Sequence, residues 1–213
     1  MTSGYVEGVL DLTFHEVSDE SSLTAQIGNK VMFLTQTLVP SSPSKSRSSS
    51  PTPETYGDTM GSSSPKSKFR KKNIHAIRLG NNEIQSTSIL TAIPAHFDTS
   101  RILWLDLSFN MIIDIFSDFP KVFPQVTTIY LHANRISRLS HVKTLGELEH
   151  LKSLSLYGNP IEEKKHYRNY TIYYCKNLHQ FDKSPVTKTQ LQQVQVWAQT
   201  FRKKLNPSEE DEY

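Results

Sequence analysis

Apolar residues recur along the second half of this chain in one short register. Counting from an apolar first position, the fourth, sixth and eleventh positions are apolar again, and the ninth is Asn. The register fits IHAIRLGNNEI from Ile74, ILWLDLSFNMI from Ile102, VTTIYLHANRI from Val126 and LKSLSLYGNPI from Leu151. Asn82, Asn110, Asn134 and Asn159 close the four copies at steps of 28, 24 and 25 residues. Units of this length, repeated in phase, build a stack of coils in which each coil buries its apolar face only against its neighbours.

Positions 3 to 5 predict a short strand, where alternate side chains face opposite ways. In the second copy Ile102, Leu105 and Leu107 go inward, so Trp104 and Asp106 face outward. The chain turns after the strand and leaves backbone groups without strand partners. A buried amide can both donate and accept, so the four Asn residues are expected to satisfy those groups as a ladder from coil to coil. Ile84, Ile112, Ile136 and Ile161 then re-enter the core.

The returns between strands are predicted to be helical or irregular. Over 137–151, Leu139, Val142, Leu145 and Leu148 stand three residues apart, which fits a compact turn and helix. Pro120 and Pro124 forbid a long helix in the preceding return. Beyond Asn159, Glu162 and Glu163 suit the start of a helix and Lys176 its end. Leu178 and Phe181 look like a truncated fifth strand, followed by Asp182. Leu191, Val194, Ala198, Phe201 and Leu205 share one face of an amphipathic helix over 187–205, with Trp197 beside it. That helix is expected to seal the last coil, and the tail 206–213 is acidic.

The N-terminal third is of another kind. Residues 40–72 carry five prolines and eleven serines, a composition that cannot bury enough apolar surface to offset ordering. The segment is expected to be a disordered linker, ending in Lys66, Lys68, Arg70, Lys71 and Lys72. Ser42, Ser50, Thr52 and Ser64 each precede proline, so they are candidate sites of proline-directed phosphorylation; the alternative is a solvated linker with incidental Ser-Pro pairs. Residues 1–39 hold two apolar groups, Val9, Leu10, Leu12 and Phe14, then Val31 to Leu34. They are read as an edge strand or cap for the first coil ahead of the alternative, a linear motif for a partner.

The four copies, the GNP turn at 158–160 and the cap residues Tyr167-Arg168, Phe181-Asp182 and Val186-Thr187 resemble the short cytosolic leucine-rich-repeat proteins. The resemblance implies an α/β solenoid with a parallel sheet on the concave face and helical or irregular returns on the convex face. It implies no enzymatic activity, and partners that are other proteins. Relatives of this architecture serve ciliary, phosphatase and ribonucleoprotein assemblies, so the shape alone selects none of them.

Composition narrows the setting. One cysteine, Cys175, allows no internal disulfide, which favours the cytosol or nucleus over secretion. No secretory leader is expected at the start, and VMFLTQTLV is too short to span a bilayer. Asn169-Tyr-Thr171 is then an accidental glycosylation sequon. The net charge of +3 traces mainly to the linker's basic run, so a generic nucleic-acid surface is not expected. No phosphate-binding loop, dinucleotide turn or nucleophile elbow appears, so no cofactor is expected. His132 and the other histidines show no metal-ligand spacing.

The outward strand positions are Ala76, Arg78 and Gly80, then Trp104, Asp106 and Ser108, then Thr128, Tyr130 and His132, then Ser153, Ser155 and Tyr157. Trp and Tyr are frequent interface anchors. Trp104, Tyr130 and Tyr157 are therefore the candidate partner-binding stripe, with Arg78, Asp106 and His132 as polar contacts. The alternative is that the N-terminal segment covers this face. The expected function is a cytoplasmic adaptor in a ciliary or cytoskeletal assembly. A phosphatase or signalling regulator and a ribonucleoprotein scaffold are the competing readings.

Overall fold

The computed structural model describes residues 8–36 and 74–201. Within them runs one seven-stranded sheet whose spatial order is the chain order, β1-β2-β3-β4-β5-β6-β7. The strands are β1 (Val9–Asp11), β2 (Ala76–Arg78), β3 (Trp104–Asp106), β4 (Thr128–Tyr130), β5 (Ser153–Ser155), β6 (Gln180–Phe181) and β7 (Ser184–Pro185). Neighbours from β1 to β6 pair in parallel, and β7 folds back antiparallel on β6. The register keeps equivalent positions side by side: Ala76 faces Trp104, Trp104 faces Thr128, and Thr128 faces Ser153.

The leucine-rich copies place their side chains as their spacing requires. Ile77, Leu105, Ile129 and Leu154 at position 4 are buried, as are Leu79, Leu107, Leu131 and Leu156 at position 6. The Asn ladder is complete. Asn134 Oδ1 accepts from the backbone N–H of Ile112 at 2.9 Å, and its Nδ2 donates to the carbonyls of Leu107 and Leu131, each at 2.9 Å. Asn110 and Asn159 repeat that pattern one coil back and one coil on. Each amide thus bonds to its own coil and to the coil before it.

The N-terminal segment is more than an edge strand. Leu10-Asp11-Leu12-Thr13-Phe14 matches Leu105-Asp106-Leu107-Ser108-Phe109, with His15 where the others have Asn. Leu10, Leu12 and Val17 are buried, and α1 (Glu20–Gln36) supplies a return. Residues 8–36 are therefore a further coil, ahead of the four read from the repeat register. Asn82 Oδ1 accepts from His15 N–H and Val17 N–H at 3.0 and 3.1 Å. A ladder Asn reaches back to the preceding coil; among the described residues no coil precedes this one, so nothing requires Asn there.

The returns follow the proline and leucine pattern. Between β2 and β3 lie a 3₁₀ turn (Thr87–Ala92), α2 (Ile93–His96) and a second 3₁₀ turn (Thr99–Arg101). Between β3 and β4 only α3 (Phe119–Val122) forms, with Pro120 in its first turn, where the missing N–H costs nothing. The next return holds α4 (Ser140–Gly146), which buries Val142 and Leu145.

At the far end the helix begins later than the two glutamates suggested. Glu162 and Glu163 sit in a 3₁₀ turn, where Glu162 Oε2 accepts from Gly158 N–H at 2.7 Å; the helix proper is α5 (Tyr167–Tyr174). The final α6 (Lys188–Phe201) buries Val194 and Ala198 against the last coil. Asp182 closes the sheet, accepting from Leu156 N–H at 2.7 Å, Tyr157 N–H at 3.0 Å and the Tyr167 hydroxyl at 3.0 Å. Arg168 donates to the carbonyls of Phe181 and Pro185 and to Gln190 Oε1. The cap motif is thus a set of side chains that occupy the backbone groups of the last strands. Leu205, the Ser-Pro sites Ser42, Ser50, Thr52 and Ser64, and the basic run 66–72 lie outside the described residues.

Candidate functional site

Alternation carries positions 3, 5 and 7 of each coil to the concave side of the sheet. The burial there differs from what alternation alone gives. Ala76, Gly80, Ser108 and Ser155 are buried although they point outward. They are small residues beside large ones, so neighbouring side chains cover them. A Cβ on Gly80 would stand 3.3 Å from Ser108 Oγ and 3.4 Å from Asp106 Oδ1. Ser155 Oγ lies 3.0 Å from His132 Nδ1, under the imidazole.

The large side chains are half-buried because they pack on one another. The Arg78 guanidinium lies 5.1 Å from the Trp104 ring centroid, and its other neighbour is Asp11 Oδ2 at 3.5 Å. Trp104 meets Tyr130 edge-on at 5.8 Å. Tyr130 meets His132 at 6.1 Å, and His132 stacks on Tyr157 at 4.6 Å with 10° between the planes. Lys183 closes the row, its ammonium 4.3 Å from the Tyr157 ring. Five of the six candidate residues, Arg78, Trp104, Tyr130, His132 and Tyr157, form one connected row across four strands. Asp106 stands beside it, its Oδ1 held by the N–H and hydroxyl of Ser108 at 3.1 and 2.6 Å.

Two contributors escaped the sequence reading. Lys183 belongs to the turn between β6 and β7, where no repeat register applies. Phe109 joins the row over its rim, edge-on to His132 at 5.2 Å, and remains 54% exposed. It occupies position 8, which takes the left-handed backbone in every coil: Phe14 (φ 59°), Asn81 (58°), Phe109 (53°), Ala133 (56°) and Gly158 (70°). Asn and Gly tolerate that conformation, but phenylalanine is strained there. The signal available in the sequence was the repeated Leu-Asp-Leu-Ser/Thr-Phe string.

The electrostatics of this face follow from burial and neighbouring charge. Burial holds the His132 pKa below the usual imidazole value; Asp106 opposes it, Lys183 reinforces it and Asp182 opposes it. The row therefore carries a neutral imidazole at neutral pH, with cations at its two ends. Burial raises the pKa of Asp11, but the bonds from Thr13 and the Arg78 charge outweigh it and keep the carboxyl below its usual value. Away from this face, Cys175 is buried and its thiol is pushed up to about 12 by that burial, as suits a small core residue and not a nucleophile. Among the described residues no group of His, Cys, Asp or Glu is placed to hold a metal ion, and no helix is long and apolar enough to cross a membrane.

Comparison with known proteins places these observations. A family model described as leucine-rich repeat matches residues 70–208. The chain is 42% identical over 103 residues to leucine-rich repeat-containing protein 51 of Bos taurus, covering 46% of this chain and 50% of that one. It is 35% identical over 139 residues to the Rattus norvegicus protein of the same name, covering 62% of this chain and 69% of that one. Among solved structures it is similar to a chain of the Drosophila melanogaster SNF/U2A' complex, with a TM-score of 0.53 and 23% identity over 62% of this chain and 75% of that one.

Proposed function

Since the chain belongs to the leucine-rich-repeat family, we propose that it is a non-enzymatic adaptor that holds a partner protein on its concave face. One observation carries the reading. Trp104, Tyr130, His132 and Tyr157 form an unbroken row of ring contacts over three adjacent strands, framed by Arg78 and Lys183. Rings that pack on one another lose little freedom on binding. They present rigid, partly apolar area with polar handles, which is the usual composition of interface anchors. Asp106, fixed by Ser108, adds an oriented carboxylate. A cytoplasmic setting in a ciliary or cytoskeletal assembly is part of the proposal.

Affinity capture from a ciliated-cell lysate tests it, with the full chain beside a Trp104→Ala, Tyr130→Ala, Tyr157→Ala variant of matched fold. Partners lost with the variant, axonemal or tubulin-associated, are the expected result. The same partners retained by the variant would move the site off the concave face. A second reading, a scaffold within a ribonucleoprotein, has behind it the fold shared with the U2A' complex chain. Binding through several phosphate contacts would weaken steeply between low and moderate salt, and binding to an aromatic face would not.

A further inference from the structure

The row of rings is also a diagonal ridge. Trp104 stands at position 3 of its coil, Tyr130 at position 5 of the next and Tyr157 at position 7 of the one after. The register shows the shift directly: Trp104 is opposite Thr128, two residues before Tyr130, and Tyr130 is opposite Ser155, two residues before Tyr157. Each step crosses one strand spacing and advances two residues, so the ridge is about 16 Å long. Ala76, Gly80 and Ser108 lie on one side of it with Asp106 and His132, and Thr128, Ser153 and Ser155 on the other. Arg78 terminates one end and Lys183 the other.

From this geometry we infer the chemistry of the partner: an amphipathic α-helix whose apolar stripe straddles the ridge between two carboxylate side chains. The inference rests on the concave-face reading above. The polar groups beside the ridge are engaged within the face, Ser108 with Asp106 and Ser155 with His132. An extended segment laid on it would leave its own N–H and C=O groups unpaired, whereas a helix satisfies them internally. Charge complementarity supplies the ends. Among the described residues Lys183 makes no ion pair, its ammonium resting on the Tyr157 ring. The Arg78 side chain is 48% exposed and has a single carboxylate contact, at 3.5 Å. A span of about 16 Å plus the reach of two cations corresponds to acids about 11 to 15 residues apart, three to four helical turns.

The test is a displayed library of random 20-residue helical peptides selected on the full chain, with binders sorted by loss of binding to a Tyr130→Ala chain of unchanged melting behaviour. The expected consensus has apolar residues at helical spacing between two acids 11 to 15 positions apart. Exchanging both acids for lysine is expected to weaken binding by at least about tenfold. Selection on a Lys183→Glu chain should convert one acid to Lys or Arg, a change that a merely structural role for Lys183 would not produce. Ridge-dependent binders without the acid pair, or proline-rich extended binders, would overturn the inference and leave the concave-face reading standing. Selection that yields no Tyr130-dependent binder would overturn both.

Discussion

His132 and Tyr157 stack face to face at 4.6 Å, and the imidazole shares a 3.0 Å hydrogen bond with Ser155. The contact ties β4's coil to β5's coil on the concave side of the sheet. It also ties the face to pH, because the folded protein keeps His132 more neutral than the unfolded chain does.

The sign follows from proton linkage. The folded-state pKa lies below the unfolded value of 6.5, so the unfolded chain takes up protons first as pH falls. The stabilisation is complete above 6.5 and is lost as pH drops through 6.5 toward the folded pKa. Melting curves at pH 7.5 and 5.5 should show a fall that is smaller in a His132→Phe variant, which keeps the stacking and cannot titrate. An equal fall in both chains would place the sensitivity on other groups.

Asn134 makes three bonds, two to Ile112 and Leu107 of the preceding coil and one to Leu131 of its own. Asn134→Ala leaves buried backbone groups unpaired and is expected to cost about 1–3 kcal/mol. Denaturant unfolding measures it. A loss indistinguishable from that of a surface substitution would mean that water replaces the amide.

Phe14 is 74% exposed at φ 59°. Replacing it with Asn removes a bulky side chain from the left-handed region, so Phe14→Asn is expected to stabilise the protein by about 1 kcal/mol. Denaturant unfolding decides this too, and a destabilised variant would show that the ring contributes packing.

Asp182 is the acceptor that closes the last coil, and burial raises its pKa despite the bonds from Leu156, Tyr167 and Tyr157. Asp182→Asn keeps an acceptor oxygen for the two backbone N–H groups and removes a costly buried charge. It should lie within about 1 kcal/mol of the native chain, while Asp182→Ala should lose about 2–3 kcal/mol. Equal losses for the two variants would show that the charge itself holds the cap.

The repeats were legible because each carries its own proof: apolar positions at fixed spacing and an Asn whose bonds need only its own coil and the one before it. The candidate face was legible to the extent that alternation decides it, which located Trp104, Tyr130 and Tyr157. Alternation says nothing of what lies beside a residue in the next strand. Ser108 and Ser155 are covered by their neighbours for that reason, and Trp104, Tyr130 and Tyr157 are half-buried against neighbouring side chains. The coil of Leu10 to Val17 escaped because His15 replaces the one residue that makes the motif recognisable. Lys183 escaped because it reaches Tyr157 through a hairpin turn, a contact with no period.

The sheet joins β1 directly to β2, yet 37 residues separate the end of α1 from Ile74. Two adjacent coils are therefore the anchors of a long closed ring of chain. The entropy of closing such a ring grows only with the logarithm of its length, about 0.6 kcal/mol for each doubling. A change of length between these two strands therefore adds little to the entropy of closure, whereas a residue inserted within a described strand would shift the pairing of Ala76, Trp104, Thr128 and Ser153.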